Sequence, residues 1–501
     1  MRRATWLAAF LLGAGIATGA WLLRQAAEPV VPLVPTRLFE QVMAHVRRFG
    51  VDSLTESELY RRAADGLLWE LDDEQATLVP TGTSAAEFDR PDPGGLGLLL
   101  ATRDGAARVL GVLPGSAADR AGLESGDVLL EIDDRPVEAN RRDELLTLLA
   151  GSPGSTVTLS FRRPGITPLA RVSLARGTPA TVAVLPGVEL EAGVGLLAVP
   201  LLGEGAATRI REAIEDLERA GVGSLVLDLR SASSGNLGEA VRIAGLFLPK
   251  GTAVLRIEGR AETPEVLATD TDPRFPDLPL VVVVDSGTAD AAEALAGVLQ
   301  EQDRALVLGV PTFGRGQSAE VFPLTDRAAV RLSTGRWVTP LGRAIQRDTA
   351  TTDSMETRPA LTTPGGRTVL GGGGIVPDSL VRGDTLSDGE RAFLRALGAN
   401  LGVYHDSLRA IAGTPGMVPG AAGRDRLAAA LAGTGPTREQ IDGAAAMIDR
   451  QAEAIVAERD GSTSAYRVAS ARRDPVIQAA VRVLRAAGSA AAVVGARRPG
   501  A

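Results

Sequence analysis

The spacing of apolar residues divides the chain into segments of different kind. Residues 4–23 form a run of twenty without a charge. As a helix at ~1.5 Å per residue, such a run crosses the ~30 Å hydrocarbon layer of a bilayer. Pro29, Pro32 and Pro35 then stiffen a tether. Apolar residues recur at helical spacing over 38–48 and 56–71, the second stretch led by Ser53 and Thr55 as capping residues. From Gly94 the pattern changes to short β-rich runs at 95–100, 109–113, 128–132 and 156–161, with one amphipathic helix over 142–149. Residues 195–199, 205–220, 224–229 and 237–247 read strand, helix, strand, helix, and a further strand follows at 280–285. That βαβα order predicts a layered α/β domain. Beyond Gly383 the chain is alanine-rich and helical, broken at 413–419 and 433–436. The expected division is a membrane anchor or signal segment at 1–27, a helical lead-in at 28–92, a small mixed domain at 93–178, an α/β core at 179–383 and a helical region at 384–501.

Composition narrows the chemistry. The absence of cysteine excludes a thiol nucleophile, a disulfide framework and thiolate-ligated zinc or iron–sulfur sites. His45 and His405 are the only histidines and no metal-ligand spacing occurs, so neither metal nor cofactor is implied. A net charge of -8 opposes binding to a nucleic-acid backbone. Of the 53 lysines and arginines only Lys250 is lysine, which leaves one candidate for any mechanism needing a neutral amine. Arg2 and Arg3 precede the apolar run and hold that end in the cytoplasm, so the expectation is a single N-terminal inner-membrane span with the bulk facing the periplasm or cell exterior. Arg24 sits badly for a cleavage site before Ala26 and Ala27, favouring an uncleaved anchor over the alternative of a cleaved signal peptide.

The run Gly94-Gly95-Leu96-Gly97-Leu98, with Gly115-Ser116-Ala117-Ala118, Ala121-Gly122-Leu123 and Gly126-Asp127-Val128-Leu129-Leu130-Glu131-Ile132, resembles a PDZ domain of the bacterial protease type. Glycines let successive N–H groups converge on a terminal carboxylate, while an exposed strand edge admits a peptide as an added strand. The resemblance implies peptide binding by Gly95, Leu96, Gly97 and Leu98, with Leu145 and Leu149 lining the pocket for the last side chain; the bland reading of these leucines is ordinary core. Its partners would be protein C-terminal tails or unfolded peptides.

Six ordered blocks resemble the C-terminal processing peptidases, or tail-specific proteases. They are Leu225-Val226-Leu227-Asp228-Leu229-Arg230, Leu246 to Gly251, Ala289 to Gln300, Pro311-Thr312-Phe313-Gly314-Arg315-Gly316, Gly335 to Pro340, and Gly374-Ile375-Val376-Pro377-Asp378. The likeness covers about Leu38 to Val381 and implies an α/β protease core, preceded or interrupted by the PDZ domain, with a serine/lysine dyad. Laid onto the family's blocks, Asp290 stands at the nucleophile position and Arg315 at the lysine position. Arginine stays protonated and cannot take a proton from a nucleophile, so the dyad is lost and an Asp290–Arg315 ion pair is expected in its place. The implied oxyanion hole falls at Ala291 and in the loop Ser231-Ala232-Ser233-Ser234-Gly235, which lacks the family's proline and first glycine. Glu301 falls where the family has a supporting aspartate.

Three readings stay open. In the first, the chain is a proteolytically inactive, membrane-anchored adaptor or decoy that retains tail binding. In the second, it is a serine-type endopeptidase using Ser286, Thr288, Ser233 or Ser234, with Lys250, His45 or His405 as base, or an acidic pair of Asp285 with Asp290. In the third, it is a structural subunit whose tail presents Ile477, Val481 and Leu484, one helical face, to a partner or second copy; an internal core is the alternative use of that face. The sequence gives no oligomeric state.

Overall fold

The computed structural model describes residues 35–495 except 72, 74, 82–91, 104–105, 138–141, 165–168, 181–182, 192, 234, 261–262, 325–327, 348–357 and 384. The apolar run at 4–23 and Ser234 therefore lie outside the described residues. Among the described residues no helix is long and apolar enough to cross a membrane. The chain forms two compact units, Met1–Asp72 and Asp73–Ala501.

In the first unit, α1 (Pro35–Phe49) and α2 (Glu56–Trp69) are the described helices. Thr55 is the working cap of α2: its Oγ1 accepts the Glu58 N–H while the Glu58 carboxylate accepts the Thr55 N–H at 3.0 Å, satisfying two otherwise orphaned donors. Met43, Leu59 and Leu68 are buried, whereas Leu38, Phe39, Val42, Val46 and Phe49 form an exposed stripe on α1.

The second unit opens with an antiparallel sheet of β1 (Leu98–Arg103), β2 (Ala106–Val112), β3 (Val128–Ile132), β4 (Thr156–Arg162) and β5 (Ala170–Ala175), in that order across the sheet. Helix α3 (Arg142–Leu149) belongs to the same domain. Alternate residues of β4 and β5, among them Val157, Leu159, Val172 and Leu174, point into its core.

A six-stranded sheet follows, built from β6 (Val188–Glu191), β7 (Val194–Ala198), β8 (Ser224–Asp228), β9 (Leu280–Val284), β10 (Leu306–Gly309) and β11 (Ser379–Leu380). The strands lie in chain order, β6 antiparallel to β7 and the rest parallel. Register places Leu197, Leu227, Val282 and Val307 in one row and Leu196, Val226, Val281 and Leu306 in the next. Because side chains alternate between faces, both faces are apolar and both need cover. The first row packs in one core with α4 (Ala206–Arg219), α5 (Leu237–Gly245) and α6 (Ala291–Glu301). A second, antiparallel sheet of Thr77–Pro80, Ala328–Val338, Ala253–Gly259 and Glu265–Ala268, with Gln317–Pro323 beside 328–338, was not foreseen from the sequence pattern.

Within the second unit, the C-terminal helices are built into both the small antiparallel domain and the six-stranded sheet. Phe393 and Leu397 of α7 (Asp388–Leu397), Tyr404 and Leu408 of α8 (Leu401–Ala412) and Met447 and Ile448 of α9 (Ala445–Arg459) share one core with β1 to β5. Helix α10 (Pro475–Ala487) covers the second row of the six-stranded sheet through Ile477, Val481 and Leu484, each 3% exposed or less. The face offered as a partner surface in the structural-subunit reading is thus an internal seam: Val226, Val281 and Leu306 would otherwise meet water. Its entry is fixed by Asp474, which caps the helix through the Val476 and Ile477 N–H groups and binds Arg230 at 2.7 Å. Arg230 in turn holds Asp228 at the end of β8.

Candidate functional site

The site is built where β9 turns sharply into α6. Asp285 closes the turn by accepting N–H groups from Ser231 at 2.8 Å and Gly287 at 2.9 Å. Thr288 Oγ1 accepts the Asp285 N–H at 3.0 Å and lies 2.8 Å from the Leu229 carbonyl. Asp290 follows at φ +56° and ψ -128°, a conformation costly for a residue with a side chain and sustained only when its surroundings fix it. Such a strained strand-to-helix turn presents the side chain at its tip beyond the end of the sheet.

Across from this elbow, Phe313-Gly314-Arg315 is held by Glu293. The buried Glu293 carboxylate accepts from Thr312 Oγ1, from the Gly314 N–H at 2.7 Å and from the Arg315 N–H at 2.8 Å, and also takes the Asp290 N–H at 3.2 Å. Burial pushes its pKa up to about 7, the Asp290 charge adds to the rise, and the Thr312, Arg315 and Gly314 donors pull against it. One side chain therefore ties the helix start to the 312–315 loop. The result places Arg315 Nη1 2.9 Å from Asp290 Oδ2, with the side chains 7% and 18% exposed, and sets the guanidinium 5.2 Å from the centre of the Phe313 ring. The ion pair expected from the paired substitution is formed.

Other sequence candidates fall elsewhere. Glu301 is at the far end of α6, about 15 Å from Ala291 at the ordinary helical rise. There it binds Arg343, Thr339 Oγ1 and, at 2.8 Å, the Leu341 N–H, so it supports the fold and not the dyad position. Ala291 is buried as the first residue of α6, and Gly235 makes a parallel bridge to Leu202, where a Cβ would come within 2.7 Å of the Leu202 carbonyl. The Thr288 hydroxyl is committed to the turn, Ser286 is exposed, and the Asp285 carboxylate accepts from Ser231 and Gly287 while Asp290 pairs with Arg315. Lys250 lies in an exposed turn after α5. His405 is buried beside Gly122, where desolvation lowers its pKa to about 3. His45 belongs to α1 in the other unit. Glu293 lies within the Ala289 to Gln300 block, and the sequence signal for its role is its place three residues after Asp290, that of the acidic member of a capping box.

The small domain sits directly on the elbow. Ala101 of β1 and Leu110 of β2 form a buried cluster with Ala289 and Phe313. A Cβ on Gly287 would come within 2.2 Å of the Leu110 carbonyl, and one on Gly111 within 2.4 Å of the Ser231 carbonyl. Both glycines thus permit backbone to meet backbone. Leu96, Leu98, Leu145 and Leu149, expected to line a tail pocket, are buried with the domain's own core and that of α7 to α9, which corrects the pocket to core in this conformation. Gly95 and Gly97 carry φ of +62° and +80°, as the expected loop requires.

Residues 193–355 match peptidase family S41 and residues 108–163 match the PDZ domain. The chain is 27% identical over 295 residues to the carboxy-terminal processing protease CtpA of Bacillus subtilis, covering 58% of this chain and 62% of that protein. It is 34% identical over 251 residues to the chloroplastic carboxyl-terminal-processing peptidase 2 of Arabidopsis thaliana, covering 49% of this chain and 48% of that protein. The chain thus spans about half to two thirds of the length of these relatives. A solved structure, the photosystem II D1 C-terminal processing protease, shares its fold with a TM-score of 0.54 at 23% identity, over 73% of this chain and 92% of that one.

Proposed function

Because the chain belongs to the S41 peptidase family and carries a PDZ domain, we propose that it is a proteolytically inactive member acting as an adaptor or decoy for peptide tails. Residues 1–27 anchor it in the inner membrane with the remainder facing the periplasm or cell exterior. The observation that carries the reading is the Asp290–Arg315 ion pair at 2.9 Å. A peptide bond is cleaved in this architecture only if a nucleophile at the elbow loses its proton to a neighbouring base. Asp290 is an acid engaged with a cation, and Arg315 has no lone pair to accept a proton. The elbow, the Glu293 tie and the sheet that supports them hold the geometry without the reacting groups. Retention of the PDZ fold supports a role in binding.

A cleavage assay on unstructured, C-terminally tagged substrates tests the reading. The unmodified chain should yield no products by mass spectrometry, while Asp290→Ser/Arg315→Lys should gain activity. Cleavage by the unmodified chain that disappears in Ser286→Ala/Thr288→Ala would establish a relocated nucleophile and end the inactive reading. Silence in all three, with the restored pair correctly folded, would mean that the oxyanion loop is also lost.

A further inference from the structure

The glycine-rich loop that the PDZ resemblance assigns to an incoming carboxylate already holds one, through the Gly97 N–H. Asp92, three residues before Gly95, is buried, and its Oδ1 accepts the Gly97 N–H at 2.6 Å. The neighbouring Leu96 and Leu98 N–H groups lower the pKa of this carboxylate. Its Oδ2 accepts the Ala180 N–H at 3.0 Å from the segment that leads out of the domain. We propose that Asp92 is an internal ligand of the PDZ carboxylate loop, occupying in the free protein the place of a peptide's C-terminal carboxylate, and that a bound tail displaces it. This rests on the reading of the domain as a tail binder.

The chemistry is self-consistent. Successive glycine-permitted N–H groups make a concave donor cluster whose natural occupant is a carboxylate. Left empty and shut away from water, those donors would cost free energy. A side-chain carboxylate from the same loop satisfies them without any loss of translational freedom, so it competes at high effective concentration with a free tail. Burial raises the pKa of Asp92 while the same N–H groups lower it. Leu96, Leu98, Leu145 and Leu149, beside this loop, are buried in the domain core. The loop is also pinned from outside: Gly177 N–H donates to the Gly94 carbonyl at 3.0 Å, and a Cβ on Gly95 would stand 2.3 Å from the Gly177 carbonyl carbon. An incoming carboxylate that expels Asp92 therefore also removes the hydrogen bond to Ala180.

The test is the affinity of the full chain, in detergent, for a fluorescent peptide ending in a small apolar residue, as free acid and as C-terminal amide. The free acid should bind the unmodified chain weakly, and Asp92→Ala and Asp92→Asn should tighten it tenfold or more, with the amide failing on all three. The tightening follows from restoring the fraction of chains with an open loop. Equal affinity in all three chains, with the acid still preferred over the amide, would overturn the internal ligand and leave tail binding standing. Amide bound as well as acid would show that the loop is not the carboxylate site. Absence of binding by every chain would instead remove the tail-binding reading on which the inference rests. Because Asp92→Ala also forfeits the Ala180 hydrogen bond, hydrogen exchange of the Gly97 and Ala180 amides in the unmodified chain serves as a check that needs no variant. These amides should exchange slowly without peptide, and fast exchange would sink the proposal.

Discussion

Removing either member of the Asp290–Arg315 pair strands the other in a place that water barely reaches. Asp290→Ala leaves a guanidinium 7% exposed, and Arg315→Met leaves a carboxylate 18% exposed. Breaking a buried pair costs ~3–5 kcal/mol. The greater solvent access of Asp290 puts Arg315→Met near ~3 kcal/mol and Asp290→Ala near ~4 kcal/mol. The double variant lacks both charges of the pair, and it should lose no more than the costlier single variant does, which gives a coupling of at least about 3 kcal/mol. Urea unfolding of the four chains at one ionic strength measures this, provided the slopes agree, since a changed slope signals loss of two-state behaviour. Losses that add to within ~0.5 kcal/mol would show that the two residues act independently. The pair would then be incidental, and the argument that it replaces the dyad as a unit would fail.

Three further outcomes are expected. Ile477→Ala in α10, 1% exposed against the sheet, should destabilise the second unit by ~2–5 kcal/mol in denaturant unfolding, whereas a partner-facing residue would cost almost nothing. His405 has a folded pKa lowered to about 3, so the unfolded chain binds more protons and stability should fall as pH drops below the unfolded value of ~6.5. In His405→Leu that acid-side loss should flatten, as read from unfolding midpoints at pH 7 and 5. Glu293 has the opposite sign: its pKa, raised to about 7 in the folded state, makes its contribution full below the unfolded value of ~4.3 and lost as pH rises through about 7. Glu293→Gln should abolish that slope and lower stability at every pH, because an amide cannot accept from all four donors.

What the sequence revealed depended on whether a pattern is local. The continuous apolar runs of β7 to β10 and the four-then-three spacing of Ile477, Val481 and Leu484 each report buried faces, yet only three-dimensional packing shows that the two meet. The Asp290–Arg315 pair was legible because two substitutions at known offsets were of opposite charge. Glu301 matches a block position, but an alignment carries no distance, and only the structure shows it at the far end of α6. Asp92 escaped notice because a carboxylate beside a glycine-rich loop looks like an ordinary turn residue until its acceptor geometry is seen. The antiparallel sheet around Ala328–Val338 was missed for a related reason: its strands are only half apolar and pair partly across more than 200 residues, as Thr77 does with Arg331.

The placement of α10 sets a schedule for synthesis. Strand β9 leaves the ribosome about 190 residues before the helix that covers its second face, a delay on the order of 10–40 s at ordinary elongation rates. Through that interval Val226, Val281 and Leu306 form a bare, flat apolar strip on a partly assembled sheet. Nascent chains should therefore depend on chaperone cover until translation is almost finished, and a late stop codon would release an aggregation-prone product in which every residue of the elbow is nevertheless present.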